Sequence, residues 1–222
     1  MPILITILTL FISSTSLSGT IEDTKEEIKQ IALLNMTRTD NYESVRAKLD
    51  PLVASLSAQQ NLDPQKEKEL KLGGWKQLWT DDADDTRSNN FFTRALREQT
   101  YQVIFEDGFF YNISTVKFLG VNATAFLRGQ YQPRLSGGLD LEFDKLKITL
   151  GATRDDTQLV ERALALEEGK IKGLDFSFLR DPAGPVGAKG FIRTVYIDED
   201  LRIDLGYNLA DEVEDLFVLV RQ

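Results

Sequence analysis

The chain has 222 residues, 42% of them hydrophobic, and its 26 basic and 35 acidic side chains give a net charge of -9 and an isoelectric point near 4.7. That is enough apolar material for a sizeable core, while the acidity repels a phosphate backbone and leaves no basic stripe for one, so no nucleic-acid partner is expected. Cys and His are both absent, which removes disulfides, thiol nucleophiles, imidazole bases and the usual zinc or iron ligand sets; no metal site and no cofactor are expected.

The first stretch, "PILITILTLFI" from Pro2 to Ile12, is uncharged and too short to span a bilayer as a helix. The small polar run "SSTSLSG" follows it, with Ser16 and Ser18 spaced like a signal-peptidase site. Residues 1-18 therefore read as a signal or targeting segment, the alternatives being a retained apolar helix or a truncated gene product. Without a Cys after the apolar run, lipoprotein attachment is excluded. Asn-x-Ser/Thr sequons begin at Asn35, Asn112 and Asn122 and matter only in a eukaryotic secretory lumen.

Residues 19-72 read as helical. Thr24 and Glu27 form a capping-box pattern, with Ile28, Ile31 and Leu34 or Asn35 continuing at helical spacing. Asp40 and Glu43 repeat the box ahead of Tyr42, Val45, Leu49, Leu52 and Leu56, and Asp50-Pro51 is expected to bend or break that second helix. A third piece, "DPQKEKELKL" from Asp63, is charged over most of its surface and need do no more than meet solvent.

Residues 73-222 read as strand-rich. "GGWKQLWT" opens with Gly73 and Trp75 and ends at "DDADD", Asp81 to Asp85, which lacks the spacing and closing Glu of a calcium loop and reads as a solvated loop. A short helical piece is expected around Phe91 to Arg97. "YQVIFEDGFFYNISTVKF" then gives two alternating runs joined at the hairpin dipeptide Asp107-Gly108. Further strands follow in "NATAFLRGQYQ", "LDLEFDKLKITLG", "KIKGLDFSFL" and "KGFIRTVYI", with "DDTQLVERALALEEG" as a crossover helix. The Pro- and Gly-rich "RDPAGPVGAKG" is expected to form a mobile flap at one end. In "TVYIDEDLRIDLG", Asp198, Glu199 and Asp200 fall between two apolar runs; a solvated hairpin tip is favoured over a catalytic cluster. This pattern argues for a mainly β fold with N-terminal helices, its antiparallel strands forming a barrel or a sandwich.

"YIDEDLRI" and "LFVLVR" resemble the C-terminal signature of the plastid-lipid-associated proteins, the plant fibrillins; "GGWKQLWT" resembles that family's first barrel strand and "LLNMTRTDN" its N-terminal part. The resemblance runs from about Thr24 to the end. It implies a lipocalin-like antiparallel β-barrel and no established catalytic residues, so no catalytic residue is expected. It also implies peripheral association with membranes or lipid globules, and a hydrophobic small-molecule ligand such as an isoprenoid, carotenoid, quinone or other lipid. The acidic "DLGYNLADEVED" departs from the family's shorter, basic turn, and the N-terminus is unlike a Ser- and Arg-rich transit peptide. Plastid or thylakoid lipid is the expected location in a photosynthetic eukaryote, and a periplasmic or peripheral membrane site elsewhere.

A barrel of about eight strands can hold one small apolar ligand, and Val103, Phe105, Phe109, Tyr111, Phe126, Phe143, Phe176 and Phe178 are the expected lining residues. In lipocalin-like folds a Gly-x-Trp on the first strand sets the indole across the closed end under a late-strand Arg, and Gly73, Trp75 and either Arg202 or Arg221 supply these parts. The rival readings are an enzyme using Asp198, Glu199 or Asp200 on a hydrophobic ligand, and a coat protein with a filled barrel. If the leader is cleaved at "SSTSLSG", N-terminal sequencing of natively expressed protein will start near Gly19; retention of Met1 would overturn that assignment.

Overall fold

In a computed structural model, the described residues are 20–37, 41–61, 63–82, 95–118, 121–134, 138–151, 158–178, 185–208 and 214–222. The expected leader lies outside them. Three helices come first: α1 (Ile21–Asn35), α2 (Tyr42–Gln59) and α3 (Pro64–Lys71). The strands are β1 (Gly73–Thr80), β2 (Ala95–Ile104), β3 (Phe109–Phe118), β4 (Val121–Pro133), β5 (Leu139–Leu150), β6 (Leu174–Asp175), β7 (Lys189–Ile197), β8 (Leu201–Asn208) and β9 (Asp215–Arg221), with helix α4 (Leu159–Glu167) between β5 and β6. All pairings are antiparallel in the order β4-β3-β2-β1-β9-β8-β7-β5, and β4 also pairs with β5, so eight strands close into a barrel and β6 adds a short edge to β5.

Each barrel strand has one face turned inward and one outward, and the outward face is largely covered. Helices α1 and α2 lay Ile28, Ala32, Val45, Leu49 and Leu56 on outward residues of β1, β7, β8 and β9, among them Trp79, Ile203 and Val218. Helix α4 lays Leu159, Ala163 and Leu166 on Val103, Tyr111, Ile113 and Phe126 of β2, β3 and β4. A register shift between Gln77 and Trp79 in β1 lets the adjacent Leu78 and Trp79 both join the outer cluster under α1 and α2.

Several local expectations are corrected. Helix α1 starts one turn earlier than the Thr24 box: Thr20 is the cap, its hydroxyl accepting from the Asp23 N–H at 3.1 Å while Asp23 accepts from the Thr20 N–H at 2.9 Å. Helix α2 runs through Pro51 without a break; the burial of Val45, Leu49, Val53 and Leu56 outweighs a helix-interior proline that costs roughly 3 kcal/mol. Its cap is Asn41, whose side chain makes no capping bond. Residues 95–97 begin β2 where a helix was expected, and 91–94 lie outside the described residues. "KIKGLDFSFL" supplies only the two-residue β6. Asp81 is no solvated loop acid: it accepts from the Leu216 N–H at 2.6 Å and pairs with Arg46 of α2 at 2.7 Å. Asp84 and Asp85 lie outside the described residues. The Asp107-Gly108 turn does join β2 to β3, with Gly108 at φ 89°.

Asp198, in the loop between β7 and β8, latches helix α1 to the barrel. It accepts from the N–H groups of Asp200 and Leu201 at 2.8 Å each, from the Tyr196 hydroxyl at 2.8 Å, and from Lys25 of α1 at 2.6 Å. Burial alone would raise the Asp198 pKa, but Lys25 and the other donors outweigh it and hold the carboxyl below its usual range. Burial likewise acts to lower Lys25, and Asp198 and Glu22 reverse it, leaving the amine raised. The stabilisation is therefore complete between about pH 4 and pH 10; it fades as acid passes through the lowered folded pKa of Asp198, and as base passes through the raised one of Lys25. Lys25→Met is expected to lower stability by roughly 1–3 kcal/mol at neutral pH. That deficit should shrink toward about pH 2, measured by denaturant unfolding across the acid range; a deficit independent of pH would mean that packing, not the latch, was lost.

Candidate ligand-binding site

Inward-facing residues from all eight barrel strands enclose one large cavity, about 330 Å³ in volume. Phe110, Leu127, Leu141, Phe143, Ile192 and Phe217 give it an apolar wall, and Asp82, Asp215 and Lys189 stand at its open end. Phe110 and Phe143 meet edge to face at 5.5 Å across Gly129, where a Cβ would come within 2.5 Å of the Phe110 ring, so only glycine leaves room for this aromatic pair. Pro185, Ala188 and Lys189, from the segment expected to be a flap, also line the cavity, while 180–184 lie outside the described residues.

Of the eight expected lining residues, Phe143 faces the cavity. Val103, Phe105, Phe109, Tyr111 and Phe126 are on the opposite face of β2, β3 and β4 and pack with α4. Phe176 packs beside the cavity against the cluster of Val116, Ala123, Leu146 and Ile148, and Phe178 is 77% exposed. The physical reason is that α4 makes the outer face of these strands as apolar as the inner one. Gln102, Asn112 and Ser114, polar residues alternating with that apolar set, are the inward ones, and they are the signal from which the facing could have been read.

At the closed end the indole of Trp75 is fully buried. Trp75 pairs with Arg221 across the β1–β9 ladder, and the guanidinium carbons of Arg221 and Arg202 lie 4.0 and 5.0 Å from its ring centre. Helix α3, expected only to meet solvent, completes the closure: the Lys71 carbonyl accepts from the indole N–H at 2.9 Å, and the Leu72 and Leu70 carbonyls accept from Arg221 at 2.5 and 2.6 Å. A cation on the last carbonyls of a helix satisfies groups the helix cannot pair itself. Gly73, at φ 96° and placed so that a Cβ there would lie 3.4 Å from the Arg221 guanidinium, makes the tight entry into β1.

Such a capped eight-strand barrel with an apolar interior and a lead-in of helices fits the family to which the terminal motifs pointed, and the sequence model of the PAP_fibrillin family matches residues 28–219. The chain belongs to the PAP/fibrillin family. No curated protein and no solved structure matches it. Membership in the PAP/fibrillin family and the barrel fold together fit a lipid-associated protein.

The three loop acids do not approach that chamber. Asp198 is committed to the α1 latch, and Glu199 and Asp200 are exposed. Among the described residues the carboxylate in the deep part of the chamber is Asp204, missed in the sequence because it sits in an ordinary-looking strand. It is 2% exposed, accepts from the Thr194 hydroxyl at 2.7 Å and pairs with Arg202 at 2.9 Å. Burial lowers the pKa of Arg202, an effect that Asp204 opposes. On the outer wall, Glu167 of α4 accepts from Arg128 at 2.6 Å and from the Tyr111 hydroxyl, tying the helix end to the barrel.

The cap predicts a coupling that can be measured in the PAP/fibrillin chain itself. Arg221→Ala should cost roughly 1–3 kcal/mol through its lost carbonyl bonds, plus about 0.5–2 kcal/mol of cation–π attraction that disappears when Trp75 is already Phe. Denaturant unfolding of the two single variants and the double variant closes the cycle, and strict additivity would show that the indole and guanidinium merely sit near each other.

Proposed function

We propose that this protein binds a hydrophobic, isoprenoid- or lipid-type small molecule inside its barrel, without catalysis, while associating peripherally with a membrane or lipid globule. The observation that carries this reading is the cavity: it opens at one end, is walled by Phe110, Phe143, Leu127 and Phe217, and is large enough for a small apolar molecule. A barrel filled by its own side chains, as a purely structural coat protein would have, is harder to reconcile with that volume.

The rim adds support for the surface. Val121, Leu150, Leu174 and Phe178 are all more than half exposed, and β4, β5 and β6 bring the first three together around the open end. Among the described residues no helix is long and apolar enough to cross a membrane; this patch is a candidate for surface attachment. The net charge of -9 disfavours strongly anionic bilayers and favours neutral lipid. Plastid lipid is the location the family favours; a periplasmic or other peripheral site is the alternative.

A carboxylate enzyme remains the second reading because Asp204 faces the cavity. Both of its oxygens are engaged, one by Thr194 and one by Arg202, which suits a fixed counter-charge better than a proton carrier.

Organic extracts of natively purified protein, analysed by mass spectrometry, should contain a stoichiometric apolar compound. Ala125→Phe, which puts a ring into the cavity from β4, should reduce that compound about tenfold or more at unchanged circular dichroism. Equal amounts in both proteins, or none in either, would refute internal binding, and a chemically altered product on incubation would favour the enzyme.

A further inference from the structure

The deep end of the cavity is not apolar. Arg202 is 1% exposed and lines the chamber, yet among the described residues its Nη1 has no hydrogen-bond partner. Its Nη2 donates to the Gln102 side-chain oxygen, and Gln102 in turn donates to Asn112 at 3.1 Å. The Nε lies 2.9 Å from Asp204 as an ion pair, but without the alignment of a hydrogen bond. A smaller recess of about 20 Å³ continues past this group between Ile104, Tyr131 and Leu139, and Gln102, Arg202 and Asp204 line it too. That is room for one or two heavy atoms of oxygen size.

We infer that the cavity takes a neutral amphipathic molecule, its apolar body against the aromatic wall and a carbonyl-type oxygen accepting a hydrogen bond from Arg202 at the deep end. This rests on the ligand-binding reading above and names the class of ligand. A buried guanidinium with an unused N–H is costly, and an oxygen acceptor from the ligand removes that cost. Charge decides between a neutral and an anionic head. Asp204, 2.9 Å from Arg202, already supplies its counter-charge, and the neighbouring Arg221 is engaged by the Leu70, Leu72 and Glu199 carbonyls, so a carboxylate on Arg202 would carry the cost of desolvating a second anion beside Asp204. A carbonyl carries no such cost. A pure hydrocarbon fills the wall equally well but leaves the Nη1 donor unmet.

The test uses three probes of matched size, 4-hexylacetophenone, hexylbenzene and 4-hexylbenzoate, with the full-length protein in equilibrium dialysis. The ketone should bind about tenfold or more tightly than the hydrocarbon, the size expected for one hydrogen bond to a charged donor, and more tightly than the carboxylate. Arg202→Met should abolish the preference for the ketone over the hydrocarbon. Because that change strands Asp204, the paired variant Arg202→Met/Asp204→Leu, which replaces the ion pair with apolar side chains of similar bulk, provides the same comparison in a protein expected to fold. Loss of the ketone preference in the paired variant, with hexylbenzene still bound, supports the anchor. Equal binding of ketone and hydrocarbon to the wild type, or a preference that survives in the paired variant, overturns the anchor while leaving the cavity as a ligand site. Tightest binding by 4-hexylbenzoate overturns the neutral head. Failure of all three probes to bind overturns the ligand-binding reading with it.

Discussion

Trp75 and Arg221 face each other across the β1–β9 pairing, the seam that turns a sheet into a barrel. This seam joins the first barrel strand to the last, so it closes the longest loop in the fold and is opposed by the most chain entropy. The side chains at its end are accordingly bound in several directions at once. Arg221 is held by the indole, by two carbonyls of α3 and by the Glu199 carbonyl at 3.3 Å in the β7–β8 loop. One residue thus ties together the helical lead-in, the first strand, the last strand and the hairpin beside it. That knot strengthens the closure on which the common cavity of the eight inward faces depends.

Much of the architecture was legible in local chemistry. The Asp107-Gly108 turn, the crossover helix α4, and the hairpin loop at Asp198 to Asp200 are all where the pattern placed them. What local pattern could not supply was facing. Along β3, Phe109 and Phe110 are neighbours of identical chemistry, one stacked with Phe105 outside and one against Phe143 inside. Alternation identifies two faces but not which of them is the interior when a helix makes the outer face apolar as well. The same competition explains α2, where tertiary burial carried a helix through Pro51 against its local preference.

Roles of individual charged residues were still less legible, because they are set by partners far away in sequence. Asp198 reads as a turn acid and is one, but its fourth donor, Lys25, comes from α1. Asp81 reads as the start of an acidic loop, whereas Arg46 and the Leu216 N–H make it a joint between α2 and β9. Arg202 and Asp204 alternate with Leu201, Ile203 and Leu205 in a strand that looks half-solvated, and the barrel turns them inward. An exposed acid and a buried, multiply bonded one have the same letter in the sequence; burial and a long-range donor make the difference.

The two ends of the barrel are held by different physics, and that difference matters for how a ligand could enter. At the closed end the charged and aromatic groups around Trp75 and the latch at Asp198 are directional and buried. Toward the other end the ladders thin out. β4 and β5 pair continuously from Ala123 to Pro133 apart from one register shift, whereas β5 and β7 pair only over Leu139 to Glu142 before β5 turns its edge to the short β6. Beyond that point two backbone bonds around Phe143, to Ala188 at 3.0 Å and from Gly187 at 2.7 Å, bridge the gap. Segments joined by few ladder bonds open at low free energy, while regions of dense packing open only with the whole fold. Among the described residues the β5–β7 ladder spans four residue pairs, as does that of β1 and β2, and the stretch beyond it is bordered by the cavity-lining Phe143, Pro185 and Ala188. The polar floor around Trp75 and Arg202 is the more densely bonded end, the one suited to holding part of a ligand in a fixed position.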